Sequence, residues 1–125
     1  AWDRLGACQL LVVNSCRASS APLDELSADE WEDVLRSNLT APFLALQAFA
    51  RLMERQGGGC VVALAPSAPG DDASVHAAHS GLAAVVADIE QHWAPHGVHA
   101  RLFDAPSALD LEAGPAAILA LAGLA

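Results

Sequence analysis

Short apolar runs alternate along the chain with longer segments in which apolar residues recur every three or four positions, the pattern of βαβ units around a parallel sheet. Cys8-Gln9-Leu10-Leu11-Val12-Val13 reads as a buried strand, and the small polar residues from Arg17 to Pro22 as a loop. Ser27-Ala28-Asp29-Glu30 then fits a capping box: the Ser27 hydroxyl takes the N3 amide and Glu30 reaches back, while Asp29, Glu30, Glu32 and Asp33 suit the positive end of a helix. That helix is expected to run to about Ser37, to bend at Asn38 and Pro42, and to resume with Phe43, Leu46, Ala50 and Met53. This apolar stripe covers a sheet or meets a partner helix. Gly57-Gly58-Gly59 ends it.

Cys60 to Leu64 is a second buried strand, followed by a Pro- and Gly-rich loop from Ala65 to Gly70 and an acidic turn, Asp71-Asp72, read as solvated surface. Val75 to Trp93 forms a long helix with Ala and Val on several sides, which predicts wide burial. Pro95-His96-Gly97 stops it, Val98 to Phe103 is a third strand, and Leu111 to Leu124 a closing helix. The fold class is therefore α/β, with a small parallel sheet of about three strands flanked by helices.

Composition narrows the chemistry. At 125 residues and 54% apolar, one domain with a real core is expected. Fifteen acids face six bases, every base is Arg, and there is neither Lys nor Tyr. No phenol or ε-ammonium is therefore on hand for catalysis. A net charge of -9 repels phosphate backbones and anionic lipid, so neither nucleic acid nor membrane is an expected partner. The longest apolar run, Ala116 to Ala125, is about half of what a bilayer-spanning helix needs. Nothing in the first residues resembles a signal peptide, and the Cys at 8, 16 and 60 have no metal spacing, so a cytoplasmic protein with reduced thiols is expected.

Three constellations invite chemistry and have plainer readings. The His at 76, 79, 92, 96 and 99 include pairs at helical spacing, but Pro95 spoils the second pair and no carboxylate or thiol completes a ligand set; no metal is expected. Some of these His instead suit a helix C-terminus. Ser67, His76 and Asp71 or Asp72 could form a hydrolase triad, without a nucleophile-elbow motif to support it. Cys16 at a strand end reads as a small buried or half-buried residue rather than a reactive thiol.

The stretch Asp29-Glu30-Trp31-Glu32-Asp33-Val34-Leu35, then Asn38-Leu39-Thr40-Ala41-Pro42-Phe43, then Gly-Gly before a strand, resembles the short-chain dehydrogenase/reductase family. Leu11-Val12-Val13-Asn14-Ser15-Cys16 is similar to that family's Asn-Asn-Ala-Gly strand end, Trp93 to Val98 to its junction before the next strand, and Gly114 to Leu124 to its later helix. The resemblance implies a three-layer, Rossmann-like partial domain over residues 1–125 that matches from the family's fourth strand onward. It would lack the N-terminal half that binds the dinucleotide at a Gly-rich turn.

Family enzymes pass a hydride between NAD(P) and an alcohol or carbonyl using Asn, Ser, Tyr and Lys. By motif, Asn38 stands for the Asn and Ser67 for the Ser, but His76 stands where Tyr belongs and Ser80 where Lys belongs. Asn14 and Cys16 are remnants of the cofactor-side loop, with Cys16 replacing a Gly. The expectation is a non-catalytic domain with no cofactor, acting as an oligomerising or partner-binding module. In the alternative, it is part of an NAD(P)-dependent oxidoreductase whose cofactor-binding half lies upstream or on another chain. The first strand would be an open edge, and the family's long helices commonly pack against their copies, so a homo-oligomer or a related subunit is the expected partner.

Overall fold

Every residue from Cys60 to Ala65 is buried, on both faces of the strand that carries them, and such a strand must lie in the middle of a sheet. The computed structural model describes residues 4, 6–14, 16–66, 72–105, 114–121 and 123. In chain order the elements are β1 (Leu10–Asn14), α1 (Ala28–Leu35), a π turn (Arg36–Thr40), α2 (Ala41–Gln56), β2 (Gly59–Pro66), α3 (Ala73–Trp93), a 3-10 turn (Ala94–His96), β3 (Val98–Ala105) and α4 (Gly114–Leu121). β2 pairs in parallel with β1, Leu10 opposite Cys60, and with β3, Gly59 opposite Val98. The order is β1-β2-β3, the three-stranded parallel sheet that the apolar runs predict.

One face of the sheet meets Leu46, Ala50 and Met53 of α2 and Leu82, Val86, Ile89 and Trp93 of α3, which close over Val61, Ala63, Val98 and Ala100. The opposite face carries Cys60, Val62 and Leu64, packed against Leu10, Phe103 and Ile118 of α4. The predicted stripe thus covers its own sheet at Leu46, Ala50 and Met53, while Phe43 is only half-buried. The expected wide burial of α3 is not observed. Its buried residues follow a single stripe through Val75, Ala78, Leu82, Val86, Ile89 and Trp93, and Ala84, Ala87 and Gln91 face solvent. Ala side chains are too small to require a second packed face. The closing helix is described from Gly114 to Leu121; residues 111–113 of the predicted span lie outside the described ones. Among the described residues no helix is long and apolar enough to cross a membrane.

The predicted bend at Asn38 and Pro42 takes another form. The chain stays helical from Ala28 to Gln56 and passes through a π turn, where the Ala41 amide donates to the Arg36 carbonyl five residues back. Pro42 has no N–H to return to the Asn38 carbonyl, so a wider turn passes it at low cost. The turn also fixes which residues face inward. Val34, Asn38, Pro42, Leu46 and Ala50 are all buried, a spacing of four that would drift around a helix of about 3.6 residues per turn. Extra residues in one turn rewind that drift.

Gly57, at φ 101°, closes α2, its amide donating to the Glu54 carbonyl while Gly58 donates to that of Met53. A side chain on Gly58 would stand 2.9 Å from the Gly97 carbonyl oxygen, so the glycine cluster allows two backbones to approach where β2 and β3 begin. Glu54 accepts from the Trp93 indole at 2.9 Å and so joins the far ends of α2 and α3.

Glu90 joins α3 to β3. Its carboxylate accepts from the Ala100 amide at 2.6 Å, lies 2.8 Å from Arg101 Nη1, and meets His99 Nδ1 at 3.0 Å. Burial pushes the Glu90 carboxyl up, but the bonds from His99, Ala100 and Arg101 outweigh it and bring it down to about 2, from 4.5. Between those two values the unfolded chain binds a proton that the folded chain refuses, so stability falls as pH is lowered through that window. Glu90→Gln should lower the urea midpoint at pH 7 and lose part of the decline between pH 5 and pH 2. Equal declines in E90Q and the parent chain would refute this.

Candidate functional site

Parallel α/β sheets bind ligands beyond the carboxyl ends of their strands. Here that end is formed by Asn14, the loop at residues 16–20, the first turns of α3 and Asp104. Asn38 is 7% exposed and turns its amide to the loop: the Arg17 N–H donates to Oδ1 at 2.8 Å and Nδ2 donates to the Arg17 carbonyl at 2.6 Å. Two residues on, the Ser19 N–H donates to Asp72 Oδ2 at 2.7 Å. The other Asp72 oxygen accepts from Ser74 Oγ at 2.6 Å and from the Val75 amide at 3.1 Å, capping α3. One polar belt therefore runs from the π turn through the loop to the start of α3.

Asp72 corrects a reading of the sequence. It is not a solvated turn residue but the N-cap of a helix that begins two residues before the predicted start at Val75. Burial pushes its carboxyl up, and the bonds from Ser74, Val75 and Ser19 outweigh burial, so it titrates below the ordinary Asp range. Its oxygens are met by Ser19, Ser74 and Val75. Ser67 and Asp71, the other members of the hydrolase arrangement, lie outside the described residues.

His76 and Ser80 sit one turn apart on the exposed side of α3, near the strand ends. The neighbouring imidazole is the one with a carboxylate partner: His79 Nε2 lies 2.6 Å from Asp104 Oδ1 and links α3 to the end of β3. Sequence reading missed this pair because 25 residues separate the partners. Cys16 is exposed, contrary to the buried or half-buried expectation, because the loop it opens is held by Arg17 and Ser19 backbone atoms instead of by burial. Asn14 is exposed at the end of β1. The remaining imidazoles go to separate places: His92 stacks edge-on to Trp93 at 4.6 Å, His96 lies 3.5 Å from Glu54, and His99 meets Glu90. Among the described residues no cluster of three His, Cys, Asp or Glu could hold a metal.

The described residues fit a nicotinamide dinucleotide poorly. Ser80 offers no charge to a ribose or phosphate, and Cys16 puts an exposed thiol into the loop that follows β1. The glycine cluster lies before β2, at the opposite end of the strands from Asn38, where it serves the approach of Gly97. No step of hydride transfer follows from these side chains.

The clasp on Arg17 is testable by itself. Asn38→Ala leaves an N–H and a C=O unpaired and should cost about 1–3 kcal/mol by urea unfolding. Asn38→Asp should not rescue it, since a carboxylate would face the Arg17 carbonyl. An N38D chain as stable as the parent would contradict the two-bond arrangement.

The family model for short chain dehydrogenases matches residues 1–106. D-threitol dehydrogenase of Mycolicibacterium smegmatis is 32% identical over 97 residues, which are 74% of this chain and 37% of that protein. A probable galactose dehydrogenase of Rhizobium meliloti is 37% identical over 59 residues, 47% of this chain and 23% of its own length. The chain thus spans well under half of the curated relatives it matches. Among solved structures, an acetoin dehydrogenase from Enterobacter cloacae superposes with a TM-score of 0.78 at 22% identity, over 84% of this chain and 45% of that one. A halohydrin dehalogenase superposes at 0.75 with 18% identity, over 82% and 43%. These two likenesses concern the fold alone, but the family model covers most of the sequence, and the chain belongs to the short-chain dehydrogenase/reductase family.

Proposed function

We propose that this chain is a non-catalytic, Rossmann-like short-chain dehydrogenase/reductase domain that works as an oligomerising or partner-binding module. The observation that carries the reading is the pair of substitutions on α3: His76 and Ser80 occupy the family positions of Tyr and Lys, and the chain has neither residue type anywhere. Carbonyl reduction needs a proton donor at the oxygen and a cation to tune it. Ser80 cannot be that cation, and His76 would need its cofactor contacts rebuilt. Asn38, the best-matched remnant, has a sufficient task in holding Arg17.

Two features support assembly. β1 lies at the edge of the sheet with Val12 38% exposed, and an open apolar edge favours a partner. Where α3 passes Phe43 of α2, Phe43, Val85, Asp88, Ile89 and Trp93 line an apolar groove of about 200 Å³ that a second copy could fill. Three free thiols, one of them exposed, suit a reducing compartment such as the cytoplasm.

The second reading, a portion of an NAD(P)-dependent oxidoreductase completed by an upstream half or another chain, is favoured by coverage, since the chain corresponds to 37% of D-threitol dehydrogenase. Titration of the purified chain with NADH and NADPH, followed by cofactor fluorescence, separates the two. The first reading expects no binding in the micromolar range and no turnover of alcohols or ketones, and either result in the positive would overturn it. Light scattering should show a species larger than a monomer; a monomer that persists at high concentration would refute assembly.

A further inference from the structure

At the amino ends of the strands, away from Asn38, a pocket of about 460 Å³ is lined by Gln9, Gln56, the glycine cluster, Cys60 and His99. Cys60 and His99 are direct partners in the β2–β3 register. Aligned residues of adjacent strands share a face, and their strands stand about 4.8 Å apart, so the thiol and the imidazole are lateral neighbours. Cys60 is 4% exposed and packs with Val62 and Leu64. Among the described residues its thiol meets only the Val61 carbonyl, at a long 3.9 Å. Burial pushes this thiol up, Arg101 draws it down and Glu90 adds to the rise. The sulfur therefore holds its proton at neutral pH and needs a base to become a nucleophile.

The base stands beside it. Glu90 is ionised at neutral pH and can only accept, so His99 Nδ1, 3.0 Å from Glu90 Oε1, carries the hydrogen. In the neutral imidazole Nε2 then keeps its lone pair, and it has no partner among the described residues. Thiol, imidazole and carboxylate thus follow one another as in a base-activated nucleophile, drawn from β2, β3 and α3. The walls select what the sulfur can meet. No acid or Arg lines the pocket, which suits a neutral molecule, and the Gln9 carboxamide, without a partner among the described residues, is a donor for a carbonyl oxygen.

We propose that this pocket is a covalent site for a small, neutral α,β-unsaturated carbonyl compound, which Cys60 attacks with His99 as its base and Glu90 as the group that orients the base. Cys60 Sγ forms a bond to the β-carbon, the thiol proton passes to His99 Nε2, and the same nitrogen returns it to the α-carbon as the carbon–carbon double bond becomes single. Nothing leaves, and no oxidant or reductant is consumed. The inference stands apart from the absence of hydride chemistry, because it uses the other end of the strands and none of the family positions.

The full chain carrying Cys8→Ser and Cys16→Ser, treated with N-ethylmaleimide and followed by intact mass, tests it. One maleimide should add to Cys60 while the chain is folded. His99→Gln in this background should slow the addition on the order of a hundredfold at pH 7. The gap should shrink toward about pH 9, where hydroxide takes the thiol proton without the imidazole. No adduct on the folded chain, equal rates at pH 7, or a gap of the same size at both pH values would each overturn the proposal. Val34→Ala, in α1, weakens the fold without touching the pocket. Its rate should equal the parent's, and an acceleration in step with lost stability would mean that unfolding exposes the thiol, which is decisive against the pocket. If H99Q does not fold, His99→Asn decides by the same comparison.

Discussion

The loop that leaves β1 is fixed by side chains that reach it from elsewhere in the chain. Asn38, 21 residues away, holds both backbone groups of Arg17, and Asp72, 53 residues away, holds the amide of Ser19. Without these bonds the loop would have to solvate its own polar backbone beside a packed sheet, which a small apolar core tolerates poorly. They tie the π turn, the loop and the first turn of α3 together. The belt thereby fixes where α3 begins, and with it the first turns that carry His76 and Ser80.

How much of this the amino-acid order announces depends on range. The capping box of Ser27 and Glu30 is read and found, both bonds present, because its partners lie three residues apart. The three strands are legible because buried parallel strands are continuous apolar runs, and Gly57 is legible because a helix stop needs a left-handed residue. The π turn is not, since Asn and Pro in a helical pattern point equally to a break; only the inward facing of Asn38, decided by the Arg17 backbone, selects the wider turn. Asp72 was misread for the same reason. A double acid before a helix looks like solvated surface until Ser19 is seen beside it.

The family assignment and the chemistry separate at α3. A fold hosts a reaction only where the side chains supply it, and the scaffold of an acetoin dehydrogenase and of a halohydrin dehalogenase is shared by this chain. On α3 the exposed positions carry His76 and Ser80, while Val75 and Ala78 stay buried against the core. A helix can therefore keep its packing stripe and lose a reactive one.

The scaffold is likewise held by groups that do not depend on the exposed positions of α3. Four of the polar side chains that hold it together are bonded to main-chain atoms: Asn38 to Arg17, Asp72 to Ser19 and Val75, Gln56 to Cys8 and Gly58, Glu90 to Ala100. A main-chain partner is present whatever residue stands there, Pro amides aside, so each bond depends on one side chain instead of two. Catalysis has the opposite dependence, because a proton donor and the cation that tunes it must both be present as side chains. A substitution can thus remove chemistry sooner than architecture, because each bond of the belt around Asn38 needs one side chain where a catalytic pair needs two.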